Sequence, residues 1–203
     1  MDNYKKNLKL LTENHVYSED MEHDACGVGV IASTEGKKSR EIVEYGIEAL
    51  KAVWHRGAVD ADGKTGDGAG IHVEIPKDFF IEKIEVTGHD YDNSEICVGM
   101  IFLPRNDYSS QESCKTIVES ELTKNDFSIY GWRQVPVNPK ILGEKAFQTM
   151  PEIIQVLFKS NDPNLIDKNL ERKIYETRKK IENKAFELSL NNFYICSISS
   201  KSI

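Results

Sequence analysis

The chain has 203 residues and a net charge of −7, with 39% hydrophobic and 29% charged residues. This balance predicts one globular domain with a substantial core. The acidic charge argues against a nucleic-acid surface, which needs clustered lysine and arginine, and no apolar run approaches the roughly 18 residues of a membrane span.

The alternation and spacing of apolar residues predict the secondary structure in chain order. Six strands are predicted, at 27–32, 71–75, 96–103, 127–137, 153–158 and 193–199. Three helices are predicted, at 39–54, at 109–124 and over a long charged segment that begins at 162–163. We also expect a short buried segment at 79–81. This mixed order predicts an α+β domain whose sheets are covered by helices. Because the chain stops in or just after a strand, we expect it to be a fragment.

The N-terminal segment and the spacing of the cysteines indicate the cellular compartment of the protein. Residues 1–25 are polar, without the apolar core of a secretory signal, and predict a loose tail. Cys26, Cys97, Cys114 and Cys196 stand far apart with no CxxC pair. This spacing disfavours a disulfide framework and predicts a reduced, cytoplasmic protein. We expect Cys97 and Cys114 to pack in the core as small hydrophobic side chains.

Cys26 stands at the head of the first predicted strand, beside glycines that suit a close approach by another backbone or a ligand. As a nucleophile, its thiol has an ordinary pKa of about 8.5 and needs a base. His23, His55 and His72 are available, but no spacing compels a Cys–His pair. If the mature chain begins at Cys26, its own α-amino group, with a pKa of about 7.7–8.0, can be that base. A buried strand cysteine is the simpler interpretation of the residues alone.

The triplet His55-Arg56-Gly57 directly follows a predicted helix. Arg56 could hold a carboxylate through two parallel hydrogen bonds. Alternatively, Arg56 is an ordinary cation at a helix C-terminus, and Gly57 ends the helix in the left-handed conformation. Both interpretations remain open at this point.

A glycine-rich segment at 62–70 precedes the second predicted strand. Asp67 and Gly68 lie in the part of it that could form a backbone nest for an anion or a tight turn into the strand. It lacks both nucleotide-binding glycine patterns. A metal site is a further alternative, although its spacing matches no zinc pattern. The residues it would use are His23, Asp24, Cys26 and His55.

Several of these segments, taken together, resemble the N-terminal class II glutamine amidotransferase domain of the bacterial-type glutamate synthase large subunit. The matching segments are DACGVG (24–29), LKAVWHRGA (50–58), ADGKTGDGAGI (61–71), IYGWR and VPV (129–137), LGE (142–144) and FYICS (193–197). They keep their order across nearly the whole chain after residue 21. The resemblance implies an N-terminal-nucleophile hydrolase fold, a four-layer αββα sandwich that is incomplete at the C-terminus here.

The resemblance also implies the chemistry. Residues 1–25 would be a propeptide, and residues 26–203 would form the N-terminal part of the amidotransferase domain. Cys26 would attack the side-chain amide of glutamine and release ammonia, with Arg56 and Gly57 beside the nucleophile and Asp67 and Gly68 in the neighbouring loop. The ammonia would then combine with 2-oxoglutarate at a second site.

The resemblance further implies that this segment holds no cofactor, and that FMN and an iron–sulfur cluster belong to domains beyond it. Electrons would come through a small (beta) subunit or from ferredoxin. The family's oxyanion residues and glutamine-binding arginine would lie after residue 203, so we expect this chain alone to be a poor glutaminase or inactive. The alternatives are a truncated non-catalytic module that binds a partner subunit, and a related hydrolase acting on another amide.

Overall fold

The computed structural model describes residues 6, 9–10, 12–13, 27–53 and 57–203. The chain divides into two compact units, Met1–Arg56 and Gly57–Ile203. In the first unit, helix α1 spans Arg40–Ala52 and begins where predicted, because the Ser39 hydroxyl accepts a hydrogen bond from the backbone N–H of Glu41.

The predicted strand at 27–32 is wrong. Residues 27–33 have no regular secondary structure, and the side chains of Val28 and Val30 are 88% and 86% exposed. An alternating apolar pattern becomes a strand only when another strand supplies its hydrogen-bond partners. No strand among the described residues pairs with this segment.

The second unit contains one antiparallel sheet in the order β2-β3-β1-β4. Its strands are β1 (Cys97–Leu103), β2 (Phe127–Gln134), β3 (Glu152–Ser160) and β4 (Tyr194–Ser199). Its helices are α2 (Lys77–Val86), α3 (Tyr108–Lys124), α4 (Glu144–Thr149) and α5 (Asp167–Glu187), with a 3₁₀ turn at Pro139–Ile141. The four later predicted strands are therefore confirmed, with small shifts of their ends.

Helices α3 and α5 cover one face of the sheet. Their apolar residues join those of the strands in one buried cluster, in which the rings of Phe127 and Phe158 meet edge to face at 5.3 Å. Glu121 of α3 connects the two helices, since its carboxylate lies 2.6 Å from the Lys184 ammonium of α5. Cys97 and Cys114 lie in this cluster, as predicted.

Helix α2 packs Phe80 and Ile84 into a second buried cluster with Val98 and Leu157 from the strands. The sheet bulges between Ile129 and Gly131 on this face. Gly131 has φ 147°, and a Cβ there would lie 2.9 Å from the Thr87 side chain. Close packing at the bulge therefore requires glycine.

Several boundaries differ from the sequence-based expectations for local reasons. The short segment predicted at 79–81 is part of the ten-residue helix α2. Helix α3 begins earlier because the cap is Asp107, whose carboxylate accepts from the backbone N–H of Ser110. Helix α5 begins at Asp167 instead of 162–163. The second unit is thus of the α+β class with one regular four-stranded sheet, which agrees with the predicted class.

Segment 71–75 is extended but forms only isolated pairing instead of the predicted regular strand. The N–H of Val73 donates to the Ile203 carbonyl at 2.9 Å, the reverse bond is 2.8 Å, and Ile75 N–H donates to the Lys201 carbonyl at 3.0 Å. The last residues of the chain therefore pair with the segment that follows the glycine-rich loop. No helix in the described ranges is long and apolar enough to cross a membrane.

Candidate active site

The predicted site residues fall into two groups. Cys26 and Arg56 lie outside the described residues, as do His23 and His55. Gly57, Asp67 and Gly68 lie in one exposed loop over residues 57–70, which we call the site loop. The structure therefore gives the geometry of this loop directly.

The site loop folds back on itself. Val59 and Gly66 form an antiparallel bridge, and the N–H of Asp60 donates to the Thr65 carbonyl at 2.7 Å. A Cβ at Gly66 would lie 3.1 Å from the Ala58 carbonyl oxygen, so a larger residue would push the two arms apart. The two arms of the loop are thereby held side by side.

Asp67 connects the two predicted motifs. Its Oδ2 accepts a hydrogen bond of 2.9 Å from the backbone N–H of Ala58, the residue after Gly57. The structure therefore brings Gly57 next to Asp67, although nine positions separate the hydrogen-bonded residues. A Cβ at Gly68 would meet nothing within 4 Å, so this position is open.

The tip of the site loop is organised by Asp62. Its Oδ1 accepts from the backbone N–H groups of Lys64 and Thr65, at 2.9 and 2.7 Å, and its Oδ2 accepts from the Thr65 hydroxyl at 2.6 Å. These bonds, the Thr65 hydroxyl foremost, hold the pKa of the Asp62 carboxyl well below its usual range. Asp62 is therefore the anionic centre of a closed turn, in which Gly63 has φ 68°.

Sequence reasoning assigned no role to Gly143, which contacts this turn from the N-terminus of α4. A Cβ there would lie 2.6 Å from the Thr65 backbone nitrogen and closer still to Asp62 Oδ2 and Thr65 Oγ1. Lys145 adds an ion pair of 2.6 Å to Asp60. The residues around Asp62 are typical of an Asx turn, so the turn itself is predictable from the local sequence. Its contact with Gly143, about 80 positions later, is not.

The other cysteines of the described chain are poorly suited to nucleophilic attack or lie elsewhere. Burial raises the pKa of Cys114 to about 11 and raises the pKa of Cys97 as well. Cys196 is exposed on β4, one of the two edge strands of the sheet. Burial thus disfavours Cys97 and Cys114 as nucleophiles, whereas Cys196 is accessible to solvent.

The metal alternative lies outside the described residues, because its candidate ligands all do. Within the described part of the chain, no group of three or more His, Cys, Asp or Glu side chains could hold a metal ion. Iron–sulfur clusters are held by sets of cysteine thiolates, and two of the described cysteines are packed in the apolar core.

The α+β fold and the site loop, in which Asp67 binds the residue after Gly57, are consistent with a match to a known protein family. The family model described as glutamine amidotransferases class-II matches residues 26–203. The chain belongs to this family, whose domain is of the N-terminal-nucleophile hydrolase type. The described residues from 27 onward therefore form part of such a domain.

Several relatives of this chain are glutamate synthases. The chain is 50% identical over 200 residues to the glutamate synthase [NADPH] large chain of Azospirillum brasilense, covering 98% of this chain and 13% of that protein. It is 40% identical to the ferredoxin-dependent glutamate synthase of Antithamnion sp., covering 90% and 12%, and 39% identical to ferredoxin-dependent glutamate synthase 2 of Arabidopsis thaliana, covering 92% and 12%.

This chain is thus homologous to the N-terminal region of the glutamate synthase large chain and spans about an eighth of such a protein. The family assignment does not favour the two alternatives, a non-catalytic module or a hydrolase of another amide.

Proposed function

We propose that this chain is part of the glutaminase domain of a glutamate synthase and that its substrate is glutamine. The observation that carries the proposal is the class II family match, which starts at Cys26 and runs to residue 203. The identity of 50% to a glutamate synthase large chain supports the same conclusion.

Cys26 is the proposed nucleophile. Its thiolate attacks the side-chain carbonyl carbon of glutamine, the C–N bond breaks, and ammonia leaves after the nitrogen gains a proton. Water then attacks the glutamyl thioester, releasing glutamate and restoring the thiol. The base is the α-amino group of Cys26, exposed by removal of the propeptide 1–25, because its pKa of about 7.7–8.0 suits neutral pH.

Arg56, Gly57, Asp67 and Gly68 are the proposed active-site neighbours. The hydrogen bond from Ala58 to Asp67 supports this grouping, since it holds the residue after Gly57 against the glycine-rich arm. The proposed role of Arg56, which rests on the resemblance, is to hold a carboxylate through two parallel hydrogen bonds. The open position of Gly68 leaves room for a substrate to approach the backbone.

In the whole protein, we propose that ammonia passes to 2-oxoglutarate, so that the reaction assimilates nitrogen into glutamate. The electron donor is a small (beta) subunit or ferredoxin; relatives of both the NADPH and the ferredoxin kind occur. The cysteines stand far apart with no CxxC pair, and this spacing supports a reduced, cytoplasmic location.

The test is a pair of cysteine substitutions in the protein as its own cells make it. Cys26→Ala should abolish glutamine-dependent glutamate formation and leave ammonia-dependent formation intact. Cys196→Ala, which removes an exposed cysteine from an edge strand, should change neither rate. Unchanged glutamine turnover in Cys26→Ala refutes the proposal.

A further inference from the structure

The site loop buries little of its own surface. Of its 14 residues, all but Asp60 and Thr65 are exposed, so burial contributes little to its position. Its internal bonds fix its shape but do not fix where it lies on the unit. Loops of this kind open readily unless something outside them holds them in place.

The N-terminal end of α4 holds the tip of the loop at two points. The first is Gly143, where the absence of a side chain lets the Asp62–Thr65 turn approach the backbone. The second is Lys145, two residues later, whose ammonium lies 2.6 Å from Asp60 Oδ2. The Lys145 side chain is 68% exposed and the Asp60 side chain 32%, so solvent screens this ion pair and the Gly143 contact is the stronger constraint on the loop.

Gly143 itself has an ordinary backbone, with φ −72° and ψ 165°. Any residue could adopt that conformation, so glycine is required here by the contact and not by the backbone. The tip of the site loop and Gly143 therefore fit together as two matched surfaces.

We propose that Gly143 is a positioning residue of the amidotransferase site: its contact with the Asp62–Thr65 turn sets where the site loop presents Gly57 and Asp67 to glutamine. This inference rests on the proposed glutaminase function. Gly143 touches neither substrate nor nucleophile in this scheme; it acts through the turn. A displacement of about 1 Å in a positioning element costs up to about 100-fold in rate.

The test measures alkylation of Cys26 in the full protein from its own cells, with a glutamine-like electrophile and, separately, with iodoacetamide. Gly143→Ala should lower the second-order rate with the glutamine-like reagent by about 10- to 100-fold. The iodoacetamide rate should change by less than about twofold, because the thiol itself is untouched. The KM for glutamine should rise in parallel.

Gly99→Ala is the matched control. A Cβ at Gly99 would lie 2.8 Å from the Val156 side chain in the sheet core, so this change also creates a close contact, but far from the site loop. It should lower thermal stability and leave both alkylation rates unchanged. Equal rates with the glutamine-like reagent in Gly143→Ala and the unsubstituted protein overturn the proposal.

A second pair of variants, at Thr65, tests the positioning role if Gly143→Ala does not fold. Thr65→Val removes the hydroxyl that donates to Asp62 Oδ2, whereas Thr65→Ser keeps it. Slower reaction with the glutamine-like reagent in Thr65→Val, restored in Thr65→Ser, supports positioning through this turn; unchanged rates in both overturn it. If the unsubstituted protein does not react at Cys26 with the glutamine-like reagent, the proposed function itself has failed.

Discussion

Glu171 of α5 anchors the end of β4. Its replacement tests how residues 201–203 are held against segment 71–75, which follows the site loop. Its Oε1 accepts from the backbone N–H and the hydroxyl of Ser200, both at 2.7 Å, and its Oε2 accepts from the Ser199 hydroxyl at 2.8 Å. Ser200 is only 2% exposed, so its N–H and hydroxyl depend largely on this carboxylate as acceptor. The next residues, 201–203, are those that pair with segment 71–75.

Glu171→Ala should lower the free energy of unfolding by about 2–4 kcal/mol, since it leaves a buried N–H without a partner and removes three charge-assisted bonds. The control is Glu176→Ala on the same helix, which removes an exposed ion pair with Arg172 and should cost about 0.5 kcal/mol or less. Urea unfolding followed by circular dichroism measures both changes.

Hydrogen exchange gives the residue-level readout. In Glu171→Ala, the amide protons of Val73, Ile75 and Ile203 should lose protection, because their hydrogen bonds join segment 71–75 to residues 201–203, which follow the strand end that Glu171 anchors. In Glu176→Ala they should keep it. Equal stability losses in the two variants, or unchanged protection of these amides, would refute the anchoring role.

Three further predictions concern other parts of the second unit. In the native protein, Cys114 should resist alkylation, since burial raises its pKa to about 11, while Cys196 should react; peptide mass spectrometry separates them, and rapid labelling of both would contradict the packing. The Lys184 ammonium holds the pKa of Glu121 below its usual range, so its stabilisation is full above about pH 4.3 and is lost as the pH falls. Glu121→Gln should therefore destabilise the protein at pH 7 more than at pH 3.5 in urea titrations, and an equal loss at both would count against the pair. Gly131→Ala should cost about 1–3 kcal/mol in the same assay, because φ 147° strains any side chain there; a loss under about 0.5 kcal/mol would show that the bulge relaxes.

The sheet was predictable because its strands carry their own signals. The run at 96–103 and the alternation around Phe127 and Phe158 are apolar enough to identify strands without knowledge of their partners. Helix α2 was not predicted, for two reasons. Pro76 indicates the end of a strand, and the two buried residues of the helix, Phe80 and Ile84, are only one turn apart. Local pattern is weak where an element is short.

The site was only partly predictable, for a different reason. The chemistry of a nucleophilic cysteine and the identity of its neighbours came from motif resemblance, and Asp67 and Gly57 are indeed joined through Ala58. The contact of the Asp62 turn with Gly143 was not predictable, since it joins two loops far apart in sequence. The strand prediction for 27–32 was wrong because an alternating pattern shows which side chains share a face but does not identify a strand that pairs with it.

The central claim is that Cys26 is the N-terminal nucleophile of a glutaminase. The most direct test is peptide mass spectrometry of the protein from its own cells after reaction with a glutamine-like electrophile. We predict an N-terminal peptide that begins at Cys26 and carries the reagent. A protein that still carries residues 1–25, with no reagent on Cys26, would contradict the claim.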